Sequence, residues 1–199
     1  KIIEDKIEGD IYYMLKIEKG ERSYLSTKKK KGIFYTFLFL MIGIIIFLIG
    51  YFLNKKSTAN IFTILAVLMA LPGAKMLTNV IVLMPFHDVS VEDEQKLLLL
   101  LPEHSELLSS VVFTSTEKVM NLDFIWVWDG YVYGCLGKKD QDLAYMQGYL
   151  SKGIHNYVDH YQVKLFEDQN AFKKAIKIAT AKGCTKEERE QVMEYLLSL

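Results

Sequence analysis

The sequence predicts an integral membrane protein in which a two-helix transmembrane hairpin precedes a domain of the α+β or mixed α/β class. Two long apolar runs predict the hairpin, since about 20 residues at ~1.5 Å each cross a hydrocarbon core of roughly 30 Å. After the second run, apolar residues alternate as in strands and then recur at helical spacing, which predicts a separate folded domain. The 199 residues therefore divide into an N-terminal segment (1–31), a hairpin (32–85) and a C-terminal domain (86–199).

The N-terminal segment combines a predicted helix with a basic flank. Apolar residues recur at helical spacing to about Glu18, and Lys19-Gly20 is expected to end the helix. We expect this helix to pack on the domain or on the membrane surface, or to bind a partner. The chain starts with Lys1, so we expect residues before it, and we expect the first apolar run to act as an uncleaved signal.

Lysine placement predicts the orientation of the hairpin. Four consecutive lysines precede the first span at 32–53, and Lys75 lies where its stem can reach the same interface. The loop between the spans carries Lys55 and Lys56. Because cationic flanks tend to stay in the cytoplasm, we expect a multi-pass protein with both termini cytoplasmic. The four lysines, which could also attract anionic lipid, are Lys28, Lys29, Lys30 and Lys31.

The second span, predicted at about 57–78, contains a Pro72-Gly73 pair that is expected to kink the helix. A lysine beside such a break can also line an ion or substrate path, which leaves a small transporter or channel subunit as an alternative reading of Lys75. Two helices alone cannot enclose a pore, and neither span carries an acidic partner.

The first half of the C-terminal domain predicts a helix followed by a β-meander. Ser90 is a predicted N-cap for an acidic first turn, and the helix is expected to run through 97–101 and to stop near Pro102. A short helical turn is expected at 106–108. Asp129-Gly130 predicts a type I′ hairpin turn, because both central positions of that turn need positive φ. The predicted strands are 110–114, 122–128 and 131–136.

The second half of the domain predicts a helix, a strand and two further helices. Apolar residues at intervals of three and four predict an amphipathic helix over 140–160, and 162–166 alternates as a strand does. A helix is expected over 170–181. Thr185 and Glu188 form a capping box that opens the last helix.

Charge and potential ligands limit the classes of function. The 24 basic and 24 acidic side chains balance, so nucleic acid is not an expected partner. Cys135 and Cys184 are predicted to be free thiols in a reducing compartment, with Cys135 in the core. The four histidines show no metal-ligand spacing, and we expect His155 and His160 to face solvent. No metal site or cofactor is predicted.

The element order over 91–166 resembles the core of the PD-(D/E)XK nuclease superfamily, in which a helix precedes a three-strand meander, a helix and a fourth strand. The resemblance implies metal-dependent chemistry, with Asp123 as the first acid and Lys138 as the lysine. Leu136 stands where the second acid belongs, and Gln141 and Tyr145 echo a Gln-x-x-x-Tyr arrangement on the following helix. A Mg²⁺ site would then lack an oxygen ligand, so the resemblance implies a degenerate, noncatalytic copy.

The same residues also have a purely structural reading. Asp123 can simply begin a strand, and Lys138-Lys139 can form the solvated end of the hairpin.

Aromatic residues are concentrated on the predicted second strand. Phe124, Trp126 and Trp128 share one face, while Ile125 and Val127 share the other. Both faces are apolar, which favours a central strand covered on two sides. An aromatic face left open would instead be a docking surface for peptide or lipid.

We therefore expect a membrane-anchored, noncatalytic binding or scaffolding protein that recruits a protein partner or its own copies to the bilayer. The main alternative is a nuclease-like, metal-dependent enzyme with an incomplete active site.

Overall fold

The computed structural model describes residues 18–138 and 140–199. These residues form two compact units. One unit contains the described residues up to Leu25 together with Phe86–Leu199, and the other is Ser26–Pro85. The helix predicted before Glu18 lies outside the described residues, as does Lys139.

Three helical segments, which we label α1 (Tyr24–Leu53), α2 (Ile61–Leu68) and α3 (Ala70–Leu83), contain the two predicted spans. Two helices, α1 and the combined α2–α3 segment Ile61–Leu83, are long and apolar enough to cross a membrane. The bounds of the helices differ from those of the predicted spans at two places. Helix α1 already includes the four lysines, which are good helix formers. The second helix begins after 57 because the side chain of Asn60 caps it, accepting a hydrogen bond from the Thr63 N–H (3.0 Å).

The second helix is interrupted at Met69, one turn before Pro72. Proline has no N–H to donate to the carbonyl oxygen four residues earlier, which here belongs to Leu68. The helix therefore lacks one backbone hydrogen bond at this point. Gly73 is buried nearby, and a Cβ atom at this position would lie 3.5 Å from the Cβ of Phe39.

Within the Ser26–Pro85 unit, α1 and the α2–α3 segment pack as an antiparallel hairpin. Gly50 of α1 is in close contact with Phe62 at the start of α2, and Gly32 with Val80 near the end of α3. The Nζ of Lys29 donates to the carbonyl oxygen of Met84 (3.4 Å), which is the C-cap of α3. The apolar stretch of α1 thus begins beside the place where α3 ends.

The other unit contains a four-stranded mixed sheet with helices on both sides. The elements are α4 (Val91–Leu98), β1 (Glu106–Thr114), β2 (Val119–Trp128), β3 (Tyr131–Leu136), α5 (Leu143–His155), β4 (Gln162–Phe166), α6 (Gln169–Ile178) and α7 (Lys186–Ser198). The strands lie in the order β1-β2-β3-β4; β2 is antiparallel to both β1 and β3, and β4 is parallel to β3. The mixed α/β class and the element order were therefore predicted correctly.

Short sequence motifs predicted one turn and two helix caps correctly, but the prediction for residues 106–108 was wrong. Asp129 and Gly130 both have positive φ (34° and 86°), as a type I′ turn requires. Ser90 caps α4, and Thr185 with Glu188 forms the capping box of α7. The helical turn predicted at 106–108 is wrong: these residues extend β1, because the second strand is long enough to pair with them, as in Glu106 opposite Val127.

The sheet is covered on both faces, and a bulge at Asp123 sets the register of β2. The β2–β3 pairing shifts between Leu122 and Phe124. Leu122 consequently packs in the same core as Ile125 and Val127, against α5 and α7. Phe124 and Trp126 pack in the opposite core, against residues of α4 and α6.

An aromatic docking surface on β2 is therefore not present in this structure. Phe124 and Trp126 have no exposed surface, and Trp128 is half-buried. Leu97 of α4 and Phe172 of α6 belong to the same core and cover this face. The central-strand reading of the aromatic pattern is the one observed.

Candidate functional site

Asp123, the first acid implied by the nuclease resemblance, lies at the β2 bulge and is partly buried. Its pKa is raised to about 6, first by burial and then by the nearby carboxylate of Asp93 in α4. A lysine ammonium in contact with Asp123 would lower this pKa. Burial and the charge of Asp93 are the causes of the upward shift, and no cation among the described residues contributes to it.

Lys138, the implied lysine, contacts an aromatic ring. Its Nζ lies 5.0 Å from the centre of the Phe86 ring. Leu136, at the position of the second acid, is buried in the core beside α5. The structure therefore does not assemble the acid, acid and lysine set on which this chemistry depends.

Gln141 and Tyr145 hold the backbone of neighbouring segments. The Gln141 amide forms a two-way bridge to Asn121 in β2: its Nε2 donates to the Asn121 carbonyl (2.8 Å), and its Oε1 accepts from the Asn121 N–H (2.7 Å). The hydroxyl of Tyr145 is hydrogen-bonded to that of Ser115 (2.9 Å). Both side chains make structural contacts.

Cys135 is buried on β3, and both cysteines are free thiols. Burial, followed by the charges of Asp123 and Asp168, raises the pKa of Cys135 to about 12. A thiol with this pKa is almost entirely protonated at neutral pH and is a poor nucleophile. The position and the pKa agree with a core thiol.

A second group of side chains comes together at the other end of the sheet. The Nε2 of His160 lies 3.2 Å from the Sγ of Cys184 and 3.6 Å from a carboxylate oxygen of Glu188. Among the described residues, these three form one set of potential metal ligands whose donor atoms all lie within 4.8 Å of one another. His155 and His160 are both exposed, as predicted, but the spacing of the histidines in the sequence did not indicate that His160 lies beside Cys184 and Glu188.

The Asp129-Gly130 turn explains why these residues meet. Because β4 runs parallel to β3, Gln162 pairs with Tyr131, and its N–H donates to the Gly130 carbonyl (2.8 Å). The residue two positions before β4, His160, therefore lies beside the turn. The Asp129 carboxylate accepts hydrogen bonds from the N–H groups of Gly183 (3.0 Å) and Cys184 (2.5 Å). The turn thus also holds the segment that leads into α7, where Glu188 lies.

The pKa values of two side chains at the turn, Asp129 and Cys184, are shifted in opposite directions. Burial alone would raise the pKa of Asp129, but the backbone hydrogen bonds from Gly183, Cys184 and Lys182 outweigh it and lower the pKa. The pKa of Cys184 is raised, first by burial and then by the carboxylates of Asp129 and Glu188. The charge of Lys182 acts in the opposite direction but does not reverse the shift, so the Cys184 thiol keeps its proton at neutral pH.

Tyr161 adds a buried hydroxyl next to this cluster. Its side chain is 2% exposed, and its ring lies 5.6 Å from the His160 ring, centre to centre. Burial raises its pKa to about 12, with Cys184 contributing next. Within the described part of the chain, its hydroxyl makes no hydrogen bond of good geometry, although Gly130 lies nearby.

The cluster was missed in the sequence because its members lie on three different segments. His160 and Cys184 are 24 residues apart, and neither belongs to a short metal-binding motif. The available signal was the Asp-Gly turn combined with a following parallel strand. This topology brings the loop before β4 to the same edge of the sheet as the turn.

Comparison of the whole chain with protein-family models, with curated proteins and with solved structures finds no match. The residues of the chain itself therefore carry the functional argument.

Proposed function

We propose that this chain is a membrane-anchored, noncatalytic binding or scaffolding protein whose sheet domain recruits a protein partner to the bilayer. The observation that carries the anchoring is the exposure of the two long apolar helices. Only 17% and 6% of the residues in their most apolar windows are buried. A core helix of a water-soluble domain would instead be mostly buried.

Both termini of this proposed multi-pass protein lie in the cytoplasm. Two features support this orientation. Lys29 and Met84 lie together, so the chain enters and leaves the hairpin at the same end. The four lysines also begin at that end, and cationic flanks favour the cytoplasmic side.

The proposal of a noncatalytic role rests on the surroundings of Asp123 and Gln141, two of the residues on which the nuclease resemblance depends. Among residues 18–138 and 140–199, no lysine neutralises Asp123, and both polar atoms of the Gln141 amide bond the backbone of Asn121. A metal-dependent hydrolase needs oxygen ligands that converge on one ion. Cleavage of any phosphodiester by the purified protein that depends on a divalent ion and is lost in Asp123→Ala would contradict this proposal.

Protease protection in sealed, right-side-out membrane vesicles tests the topology. One epitope is inserted between Asn54 and Thr58, and another follows Leu199. We expect added protease to remove the loop epitope and to leave the C-terminal epitope intact. Substituting glutamine for the four lysines should produce a mixed orientation, whereas the matched pair Lys55→Gln/Lys56→Gln should not. Digestion of the C-terminal epitope in intact vesicles would overturn the proposed orientation.

Recruitment is tested by affinity purification from native membranes in mild detergent. We expect a stoichiometric partner with the full chain and its loss when residues 86–199 are deleted. Recovery of the full chain alone, as a monomer, would count against recruitment. Ion or solute flux into liposomes that depends on Lys75 would instead indicate a transporter subunit.

A further inference from the structure

The cluster of His160, Cys184 and Glu188 has the dimensions of a tetrahedral metal site. With zinc bonds of about 2.0–2.1 Å to nitrogen and about 2.3 Å to sulfur, a tetrahedral angle separates the two donor atoms by roughly 3.5 Å. The observed separation of His160 Nε2 and Cys184 Sγ is 3.2 Å, and that of His160 Nε2 and the Glu188 carboxylate is 3.6 Å. Both separations lie within a few tenths of an ångström of the tetrahedral values, and all three donor atoms lie within 4.8 Å of one another.

Each donor has a lone pair that its present contacts leave available. The Oε2 of Glu188, which lies 3.6 Å from His160 Nε2, accepts a hydrogen bond from the Thr185 N–H (2.9 Å) and has a second lone pair for the ion. His160 presents Nε2 to the cluster. The Cys184 thiol interacts with the Asp129 carboxylate, whose oxygens are held by the Gly183 and Cys184 N–H groups.

We propose that His160, Cys184 and Glu188 bind a Zn²⁺ ion, with water in the fourth position. A ligand set of one imidazole, one thiolate and one carboxylate suits a borderline-soft ion such as zinc. Mg²⁺ and Ca²⁺ prefer shells made only of oxygen. On binding, Zn²⁺ takes the place of the thiol proton, which is released to water.

Tyr161 supplies a second, independent observation. A buried hydroxyl without a hydrogen-bond partner is uncommon in a folded protein. The Tyr161 ring lies 5.6 Å from the ring of His160, centre to centre, and the Gly130 backbone near its hydroxyl does not complete a hydrogen bond of good geometry. A water molecule on the zinc would give this hydroxyl a well-aligned partner.

The bound ion would join three parts of the domain. His160 lies in the loop before β4, Cys184 immediately precedes α7, and Glu188 lies in the first turn of α7. Asp129 of the β2–β3 turn would orient the Cys184 ligand from outside the coordination sphere. The inference concerns the sheet domain alone and does not depend on membrane insertion.

Titration of the full-length protein with Co²⁺, in detergent and with a phosphine reductant, tests the site. Cobalt takes tetrahedral zinc sites and reports thiolate coordination by its charge-transfer absorption. We expect one Co²⁺ per chain, with thiolate charge-transfer and strong tetrahedral d–d bands, and displacement of Co²⁺ by one equivalent of Zn²⁺. Zinc should also raise the thermal midpoint of the domain, because it binds the folded state preferentially.

Matched variants make the test specific. Cys184→Ser should abolish the charge-transfer band, and His160→Gln and Glu188→Gln should each weaken binding by about 100-fold or more. The capping box of α7 survives Glu188→Gln, since glutamine also serves at that position. His87→Gln and Cys135→Ala are controls outside the cluster and should leave the cobalt spectrum unchanged.

The fold of each variant is checked by tryptophan fluorescence, because both tryptophans of the chain, Trp126 and Trp128, lie in the sheet domain. Two results would overturn the proposal: a wild-type titration without tetrahedral thiolate bands, or bands that persist in folded Cys184→Ser.

Discussion

At the scale of single residues, Asp123 destabilises the folded domain when it is ionised. Its pKa rises from 3.8 to about 6 on folding, through burial and the Asp93 carboxylate. Below about pH 4 the carboxyl is protonated in both states and the penalty is absent. Between about pH 4 and pH 6 the folded state binds more protons than the unfolded state, so stability falls as the pH rises. Above pH 6 the penalty is constant.

Asp123→Asn should therefore stabilise the domain at about pH 8 and leave it nearly unchanged at about pH 4. After allowance for solvent screening of this partly buried group, the gain should be about 1–2 kcal/mol. Urea unfolding followed by tryptophan fluorescence measures it in the full chain. Asp140→Asn, at an exposed carboxyl, is the control substitution. Equal stabilisation at both pH values would refute the electrostatic explanation.

Gln141 provides a second test at this scale, because its role is structural. Gln141→Ala removes both hydrogen bonds to the Asn121 backbone, which should reduce the free energy of unfolding by about 1–3 kcal/mol. Gln141→Glu keeps the acceptor for the Asn121 N–H but loses the donor, so it too should destabilise. Gln95→Ala, at an exposed position on α4, is the matched control. If Gln141→Ala left the free energy of unfolding unchanged, the structural role would be wrong and Gln141 would again be a candidate functional residue.

At the scale of secondary-structure elements, Asp129 connects the β2–β3 turn to the start of α7. Its backbone has positive φ, and its carboxylate accepts two backbone N–H groups. Asp129→Ala loses both acceptors and tolerates positive φ less well, so it should reduce stability by about 2–3 kcal/mol.

Asparagine tolerates the left-handed region and keeps one acceptor oxygen, so Asp129→Asn should cost clearly less than alanine. Asp140→Ala, which alters an exposed aspartate, is the control. Thermal unfolding monitored at the tryptophans ranks the variants. Equal effects of alanine and asparagine would mean that the hydrogen bonds from Gly183 and Cys184 contribute little.

Elements defined by neighbouring residues were predictable, and those defined by distant pairing were not. The Asp129-Gly130 turn, the Ser90 cap and the Thr185 capping box each depend on a few consecutive residues, and each was placed correctly. The bulge at Asp123 depends on the pairing of β2 with β3. It moves Leu122 to the opposite core from the one that strict alternation with Phe124 implies. The His160 and Cys184 contact likewise requires the parallel β3–β4 pairing, which local patterns do not encode.

At the scale of the whole molecule, small residues on α1 allow the two long helices to approach each other. Gly43 and Gly50 are seven residues apart and lack the GxxxG spacing that predicts a helix interface. In the structure, Gly43 lies against Ala66 and Met69, and Gly50 against Phe62, all within the same chain. The packing order of residues along the two helices therefore defines an antiparallel hairpin, which engineered disulfides can test.

A Cβ atom at Gly43 would lie 3.5 Å from that of Met69, and one at Gly73 would lie 3.5 Å from that of Phe39. Disulfides join Cβ atoms about 3.5–4.5 Å apart. In a background lacking Cys135 and Cys184, the pairs Gly43→Cys/Met69→Cys and Phe39→Cys/Gly73→Cys should therefore oxidise within one chain. A specific protease site inserted between Asn54 and Thr58 gives the readout, because the two fragments remain joined until the disulfide is reduced.

The control pair Gly43→Cys/Leu68→Cys places one thiol on an exposed side of α2, since Leu68 is 51% exposed, and should not form the bridge. If the two predicted pairs linked separate chains instead, the antiparallel packing would belong to an oligomer. The proposed entry and exit of each chain at one membrane face would then lose its structural support. Bridging within single chains would instead show that each copy forms its own hairpin, because both pairs lie on the facing sides of α1 and the α2–α3 segment.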